Sequence, residues 1–279
     1  MFDKNLILKN WLQQKEVFID NVIISRKRPT KDSVHDLRVA VKKMRSYLRL
    51  NEEVTKEDWK DSFTGIRNLF KTFGKLRDFD ISLQLCRRYE RQNQLPVSAF
   101  KEYLSVNRSL LRRWVKDAAK NIHEQQPVFD RQFSYFNELF AAEASQKIIE
   151  LSIEIIKKIK RGKKHFKKNA HEIRKLLKDV VYWLKIIPKS VKAIDLKPLD
   201  RLLTYLGTWQ DHFIFIRMTK QYAKAFVNTK DEKNVLMELI KKAGLTQKDL
   251  LTKAINKWDE LEKRITPLKE TPPLALSNP

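Results

Sequence analysis

The sequence predicts an all-α protein built from two similar halves. Apolar residues recur at helical spacing along most of the 279 residues, only five residues are glycine, and no long stretch alternates as a strand does. In addition, the pattern His-x-x-Arg-x-x-x-Lys begins at His35 and again at His171, an offset of 136 residues. The predicted boundaries are 1–266 for one domain, about 1–141 and 142–266 for its halves, and 267–279 for a flexible tail.

Proline, glycine and capping residues predict the helices of the first half. The first helix ends before the basic loop around Pro29, and Ser33 is the expected N-cap of the next helix, which carries His35. Gly74 is expected to form a turn between two further helices. The predicted helices cover 2–25, the region from Ser33 past Arg49, 57–74, 78–92 and the long stretch between Pro96 and Pro127.

The second half repeats this plan after a short connecting helix at 128–141. Asn169 is the expected cap of the helix that carries His171, and Pro188 follows its end. Gly207 is expected to form a turn, Gly244 to end a helix, and Thr246 to open the last one. The predicted helices cover 142–160, the region from Asn169 to Pro188, 198–207, 211–226, 231–243 and the region after Thr246.

Each copy of the repeat predicts a helix with one apolar and one cationic face. At about 100° per residue, five residues of the first copy fall within an arc of about 80°, opposite its apolar residues: His35, Arg38, Lys42, Arg45 and Arg49. Like charges at these spacings repel one another, so we expect an anion along the ridge. The cationic ridge of the second copy has one charge fewer in its middle, because Val181 stands where the first copy has Arg45.

The net charge of +24 is concentrated near the two copies of the repeat. Residues 26–49 hold nine Lys and Arg against two acidic residues, and residues 157–185 hold twelve against two. A solubilising basic surface is the alternative interpretation, but a general bias would spread the charge evenly. Concentration at equivalent places indicates a shared site for a polyanion.

A second pair of motifs follows the two helices: Gly74 with Asp78 and Gly207 with Asp211, each spaced Gly-x-x-x-Asp. Together with the His-x-x-Arg-x-x-x-Lys helices, they resemble the CHAD family of histidine-bearing helical domains. The resemblance implies two pseudo-symmetric four-helix bundles that bind inorganic polyphosphate in a basic central groove. The acidic residues are expected to be architectural, as N-caps or as partners of Arg38 and Arg174.

The expected polyphosphate-binding residues come from the two helices, their preceding loops and the position before Asp78. The histidines either donate to phosphate or bond the aspartates Asp78 and Asp211, and Arg77 is either a phosphate ligand or an ion-pair partner, as its counterpart is Gln210. The full set is Arg26, Lys27, Arg28, His35, Arg38, Lys42, Arg45, Arg49, Arg77, Lys163, Lys164, Lys167, His171, Arg174, Lys175, Lys178 and Lys185.

The sequence favours a binding protein over an enzyme. It contains no glycine-rich phosphate loop and no carboxylate cluster, so we expect no catalysis, cofactor or metal, and we expect the single Cys86 to be a buried thiol. No apolar run predicts a membrane span, and we expect a cytoplasmic protein that associates with polyphosphate granules. The alternatives are a nucleic-acid-binding protein and a scaffold or regulatory partner of a phosphate-metabolising enzyme.

Overall fold

A computed structural model describes residues 6–59, 63–122, 141–187 and 196–265. All regular secondary structure in these ranges is helical, which confirms the predicted all-α class. None of these helices is long and apolar enough to cross a membrane. The elements are α1 (Leu6–Lys27), α2 (Lys31–Thr55), α3 (Thr64–Asn93), α4 (Ser98–Lys120), α5 (Ala141–Arg161), a 3-10 turn (Lys163–His165), α6 (Phe166–Ile186), α7 (Lys197–Phe226) and α8 (Lys230–Ile265).

The N-terminus of α2 is closed by a capping box. Thr30 is the N-cap: its hydroxyl accepts a hydrogen bond of 3.0 Å from the Ser33 amide, and the Ser33 hydroxyl accepts one of 3.0 Å from the Thr30 amide. The prediction of Ser33 as N-cap is therefore wrong by three residues, because the serine serves as the reciprocal partner. Asn169 is likewise not a cap, since α6 already begins at Phe166.

Glycine does not interrupt the long helices. Gly74, Gly207 and Gly244 lie inside α3, α7 and α8, and none has a positive φ, so the predicted turns and helix end are wrong. Thr246 is also interior to α8. A helical glycine costs only about 1 kcal/mol, which packing on both sides offsets. The connecting helix predicted at 128–141 lies outside the described residues except for residue 141, where α5 begins, and the tail at 267–279 lies outside them entirely.

The buried side chains form two clusters that both combine the two halves of the chain. The larger one contains residues from each of the eight described helices, from Ile7 in α1 to Leu261 in α8. The smaller one joins the distal parts of α3 and α4 to those of α7 and α8, around Phe100 and Phe215. The halves therefore share their core, and the pseudo-symmetric pair of bundles stays a prediction.

The two copies of the repeat meet where α2 packs against α6 and α3 against α7. Trp183 Nε1 donates a 2.8 Å hydrogen bond to the carbonyl of Ser46 across the first of these contacts. Across the second, the Ser82 hydroxyl lies 3.1 Å from the sulfur of Met218. These contacts bring side chains more than 130 residues apart in the sequence into one site.

Candidate functional site

Five cationic side chains are electrostatic neighbours where α2, α3 and α6 meet. They form the cation cluster: Arg38 and Lys42 on α2, Arg77 on α3, and Arg174 and Lys178 on α6. Burial lowers the pKa of Lys42 well below its usual value, and the positive charges of the other four members lower it further. The sequence predicted all five as ligand-binding residues, and the fold brings them together.

Three other members of the cation cluster are also destabilised in their charged forms. Burial lowers the pKa of Lys178 to about 8, with the cluster's three arginines adding to the shift. Burial also lowers the pKa of Arg38 to about 10, against the attraction of Asp78, and lowers the pKa of Arg174 against the attraction of Asp211. Holding these groups protonated is therefore costly, and an added anion would reduce that cost.

Two carboxylates accompany the cation cluster. Arg77 Nη2 lies 2.6 Å from Asp211 of α7, and its Nη1 lies 3.4 Å from Asp78 of α3. Burial raises the pKa of Asp78, although Arg77 and Arg38 pull it down. Neither aspartate is an N-cap, because both lie inside helices. Arg77 acts as an ion-pair partner, and five cationic groups stand against two carboxylates.

Gly74 makes room for the guanidinium of Arg38. Arg38 Nη1 donates a 2.9 Å hydrogen bond to the carbonyl of Phe70, and the guanidinium lies 4.3 Å from the centre of the Phe70 ring. A Cβ added at Gly74 would stand 2.5 Å from Nη1. Gly74 therefore allows the Arg38 side chain of α2 to approach the backbone of α3 closely. The sequence analysis predicted a turn at this glycine instead.

The second copy holds its arginine less tightly. A Cβ added at Gly207 would lie 3.6 Å from Arg174 Nη2, an ordinary contact. The Nε atom of Arg174 is buried and has no hydrogen-bond partner in the described structure. His171 Nδ1 donates to Oε1 of Gln210 at 3.1 Å, so this histidine bonds the residue before Asp211. His35, its counterpart, is exposed on α2.

The ridge of α2 continues past the cation cluster to Arg45 and Arg49. The Arg45 guanidinium lies 5.9 Å from the Phe70 ring centre, and burial, Arg49 and Arg67 lower its pKa. Arg49 is held by the buried Asp179, which accepts hydrogen bonds from its Nε at 2.9 Å and from its Nη2 at 2.5 Å, so two of its five N–H donors are engaged. Arg67 was missed in the sequence, although its position seven residues before Gly74 puts both on one face of α3.

The residues of the two basic loops make other contacts. Arg26 Nε donates a 2.9 Å hydrogen bond to the carbonyl of Ala119 near the end of α4. Burial lowers the pKa of Arg112, and the charges of Arg108 and Arg28 add to the shift, so Arg28 lies near α4 as well. Lys163 pairs with Asp259 at 3.0 Å and with Glu262 of α8 at 3.1 Å. These contacts are with neighbouring helices and not with the cation cluster.

The remaining predicted ligands lie at the surface. Lys175 pairs with Glu172 at 2.8 Å, and Lys185 pairs with Asp200 at 3.1 Å. Three further lysines are exposed: Lys27, Lys164 and Lys167. Exposed pairs of this kind contribute little to stability, and their charges stay accessible to a ligand.

The described residues bring together no group of three or more His, Cys, Asp or Glu that could hold a metal ion. Cys86 is buried, and burial raises the pKa of its thiol to about 12. The expectation of a buried thiol is confirmed.

The comparisons with known proteins agree with the repeated motifs. A search of curated proteins finds no match. A family model described as CHAD domain matches residues 18–219, a span that begins in α1 and ends in α7 and contains every member of the cation cluster. The match covers well over half of the chain. The chain therefore belongs to the CHAD domain family.

Proposed function

We propose that this protein binds inorganic polyphosphate, without cleaving it, at the cation cluster. The CHAD family is associated with polyphosphate binding, and the match spans both copies of the repeat. The observation that carries the proposal is the excess of half-buried positive charge. Among the described residues, the carboxylates that accompany these five cations are Asp78 and Asp211.

A polyanion would relieve the electrostatic cost of this arrangement. In the free protein, Lys42 and Lys178 both have lowered pKa values, because burial and neighbouring cations disfavour their charged forms. Phosphate oxygens would reverse the second of these effects. The arginines add paired donors that match phosphate geometry.

The surroundings favour a polyanion without bases. Single-strand nucleic-acid proteins stack bases on exposed aromatic rings placed among their cations. Here Phe70 lies beneath the Arg38 guanidinium, Tyr47 is buried, and burial raises the pKa of the half-buried Tyr182 to about 12. These three rings are poorly placed for stacking, which supports polyphosphate over nucleic acid.

We propose that the bound chain runs from the cation cluster towards Arg45 and Arg67. Arg38 and Arg45 both lie over the Phe70 ring, so the path between them is continuous along α2. Arg67 joins the far end, where its charge contributes to lowering the pKa of Arg45. This course would form the basic groove, and it excludes Lys163 and Arg26, which contact α8 and α4.

A competition titration tests the proposal. Labelled polyphosphate bound to the protein is displaced by unlabelled polyphosphate, single-stranded DNA, duplex DNA or ATP at fixed salt. Polyphosphate should compete at least tenfold better per phosphate, about 1.4 kcal/mol. Equal displacement by DNA would instead support a nucleic-acid-binding protein. A cytoplasmic location, polyphosphate granules and partnership with a phosphate-metabolising enzyme stay predictions.

A further inference from the structure

The outer face of α4 carries an apolar stripe. Val106, Leu110 and Trp114 are 52%, 45% and 60% exposed, whereas Leu104 and Leu111 of the same helix are buried in the core. The half-buried Tyr103 lies at the start of the stripe. The spacing of 103, 106, 110 and 114 places all four side chains on one side of the helix, over a length of about 16 Å. This side is distinct from the side that packs in the core.

Aromatic packing extends the stripe onto α7. The ring of Phe226 lies 5.3 Å from that of Tyr103, centre to centre, and Phe226 is 58% exposed. The stripe thus runs from the end of α7 along α4 to Trp114. Contiguous exposed apolar side chains of this kind mark interaction surfaces.

The spacing indicates what would cover the stripe. Apolar residues at i, i+3, i+7 and i+11 form the seam that a second amphipathic helix packs against, and large aromatic side chains are typical anchors in such seams. The stripe is about one side chain wide, with Glu102 near one end and Asp117 at the other. A ridge this narrow and only about 16 Å long suits the seam of a single helix better than a flat lipid surface.

The charge beside the stripe indicates the chemistry of that helix. Three other cations of α4 are already paired within the protein: Lys101 with Glu90, Arg108 with Asp80 and Lys120 with Asp117. Arg113 and Lys116 are exposed along one edge of the stripe. A second copy of this chain would bring the same cations and a net charge of +24 towards them, whereas acidic residues would be attracted.

We propose that the outer face of α4, from Tyr103 to Trp114, docks an amphipathic helix of a partner protein whose apolar seam is flanked by Asp or Glu. The partner's apolar side chains cover Val106, Leu110 and Trp114, and its carboxylates face Arg113 and Lys116. This surface is separate from the cation cluster, so one molecule can hold polyphosphate and the partner together.

The probe is a labelled helical peptide of about four heptads with Leu at the seam and Glu beside it. The matched control peptide has Lys in place of Glu. We expect saturable binding of the acidic peptide at moderate salt, by fluorescence anisotropy, at least tenfold tighter than that of the basic peptide. Equal binding of both peptides, or none of the acidic one, would overturn the proposal.

Variants locate the peptide. Leu110→Asp should weaken acidic-peptide binding at least tenfold and leave polyphosphate affinity unchanged. Leu245→Asp, at a 62% exposed leucine of α8, should change neither. Trp114→Gln is a second test if Leu110→Asp fails to fold by circular dichroism. Arg174→Glu should retain peptide binding; if it loses binding while Leu110→Asp retains it, the peptide occupies the cation cluster and the proposal is wrong.

Two further measurements separate the other occupants. Anionic phospholipid vesicles should not bind through Leu110, and sedimentation should show no self-association that Leu110→Asp abolishes. Either result in the opposite sense would assign the stripe to lipid or to a second copy and would overturn the acidic-helix proposal. Failure of polyphosphate binding would leave these outcomes unaffected.

Discussion

The two copies of the motif hold their arginines differently. Arg38 is anchored: it donates to the Phe70 carbonyl, lies over the Phe70 ring and fills the space above Gly74. Arg174 lies at ordinary contact distance from Gly207, and its buried Nε has no described partner. In the second copy, Leu203 stands at the position of Phe70.

The difference separates a structural role from a binding role within one repeated pattern. Arg38 already donates a hydrogen bond to the carbonyl of Phe70 in α3. Its replacement should therefore disturb the packing of α3 as well as ligand binding. Arg174 retains a donor that the described protein does not use. The first copy therefore organises the site, and we expect the second to respond to ligand with less effect on the fold.

Charge reversal should have the largest effect on binding. Arg38→Glu and Arg174→Glu should each lower polyphosphate affinity tenfold or more, because each removes a donor and adds a repulsive carboxylate. Only Arg38→Glu should also lower the melting temperature clearly. Titration calorimetry and thermal melting measure both quantities. Lys253→Glu on α8, where the lysine pairs with Asp249, is the control and should leave affinity nearly unchanged.

The same titrations give the stoichiometry. One long polyphosphate chain per protein is expected if both copies line one site. Two bound chains, with each variant losing one, would show two independent sites. Full affinity in both folded variants would remove the cation cluster from the mechanism.

pH should act on binding and on stability in opposite directions. The pKa of Lys178 is about 8 in the folded protein against 10.5 as its usual value, so the unfolded chain binds more protons between these pH values. The free energy of unfolding without ligand should rise as pH increases from about 8 to 10.5. Polyphosphate prefers the protonated lysine, so its affinity should fall over the same range, by up to tenfold per pH unit for this group.

Urea denaturation and polyphosphate titration at pH 7.5, 8.5 and 9.5 check both signs. Lys178→Gln should remove the contribution of this lysine to both curves. An affinity that increases with pH would contradict the assignment of Lys178 to the binding site.

Alanine at the two motif glycines should have opposite effects on stability. Gly207→Ala should stabilise by up to about 1 kcal/mol, since glycine is unfavourable inside a helix and the added methyl fits. Gly74→Ala should instead destabilise by roughly 1 kcal/mol, because the methyl displaces Arg38 from the Phe70 carbonyl. Gly244→Ala, with open space around it, is the matched control. Equal stabilisation at all three positions would show that Gly74 is not needed to make room for Arg38.

The smallest effect is expected where the copies differ by one charge. Gln210→Arg gives the second copy the residue of the first, and it should raise polyphosphate affinity two- to threefold while it breaks the contact with His171. The change in unfolding free energy should stay within about 0.5 kcal/mol. Gln221→Arg, exposed farther along α7, adds the same charge away from the site and should have less effect.

Helix class was predictable because it depends on local patterns. Apolar spacing predicts helices wherever one face is buried, and the absence of alternation excludes long strands. The ends were less predictable: Ser33 and Asn169 are common capping residues, yet the helices begin at Lys31 and Phe166. In the capping box of α2, Thr30 and Ser33 both have capping side chains, so the sequence alone does not tell which of them is the cap.

Glycine shows why local rules fail at a contact. Glycine is unfavourable in helices, so Gly74 suggests a turn, but its role is to admit the side chain of Arg38, a residue 36 positions earlier in the chain. A sequence records that the residue is small and does not record which neighbour approaches it.

The sequence alone determined the helical class, the repeated motif and the ridge that carries Arg38, Lys42, Arg174 and Lys178, because periodicity and charge are written along the chain. Only the tertiary structure decided which cations lie together. Arg49 bonds Asp179, Arg26 bonds the carbonyl of Ala119 and Lys163 pairs with α8, although all three have the same charge as the cluster. The reason is physical: a cation's role depends on which carboxylate, carbonyl or like charge packs against it, and helix packing sets those distances.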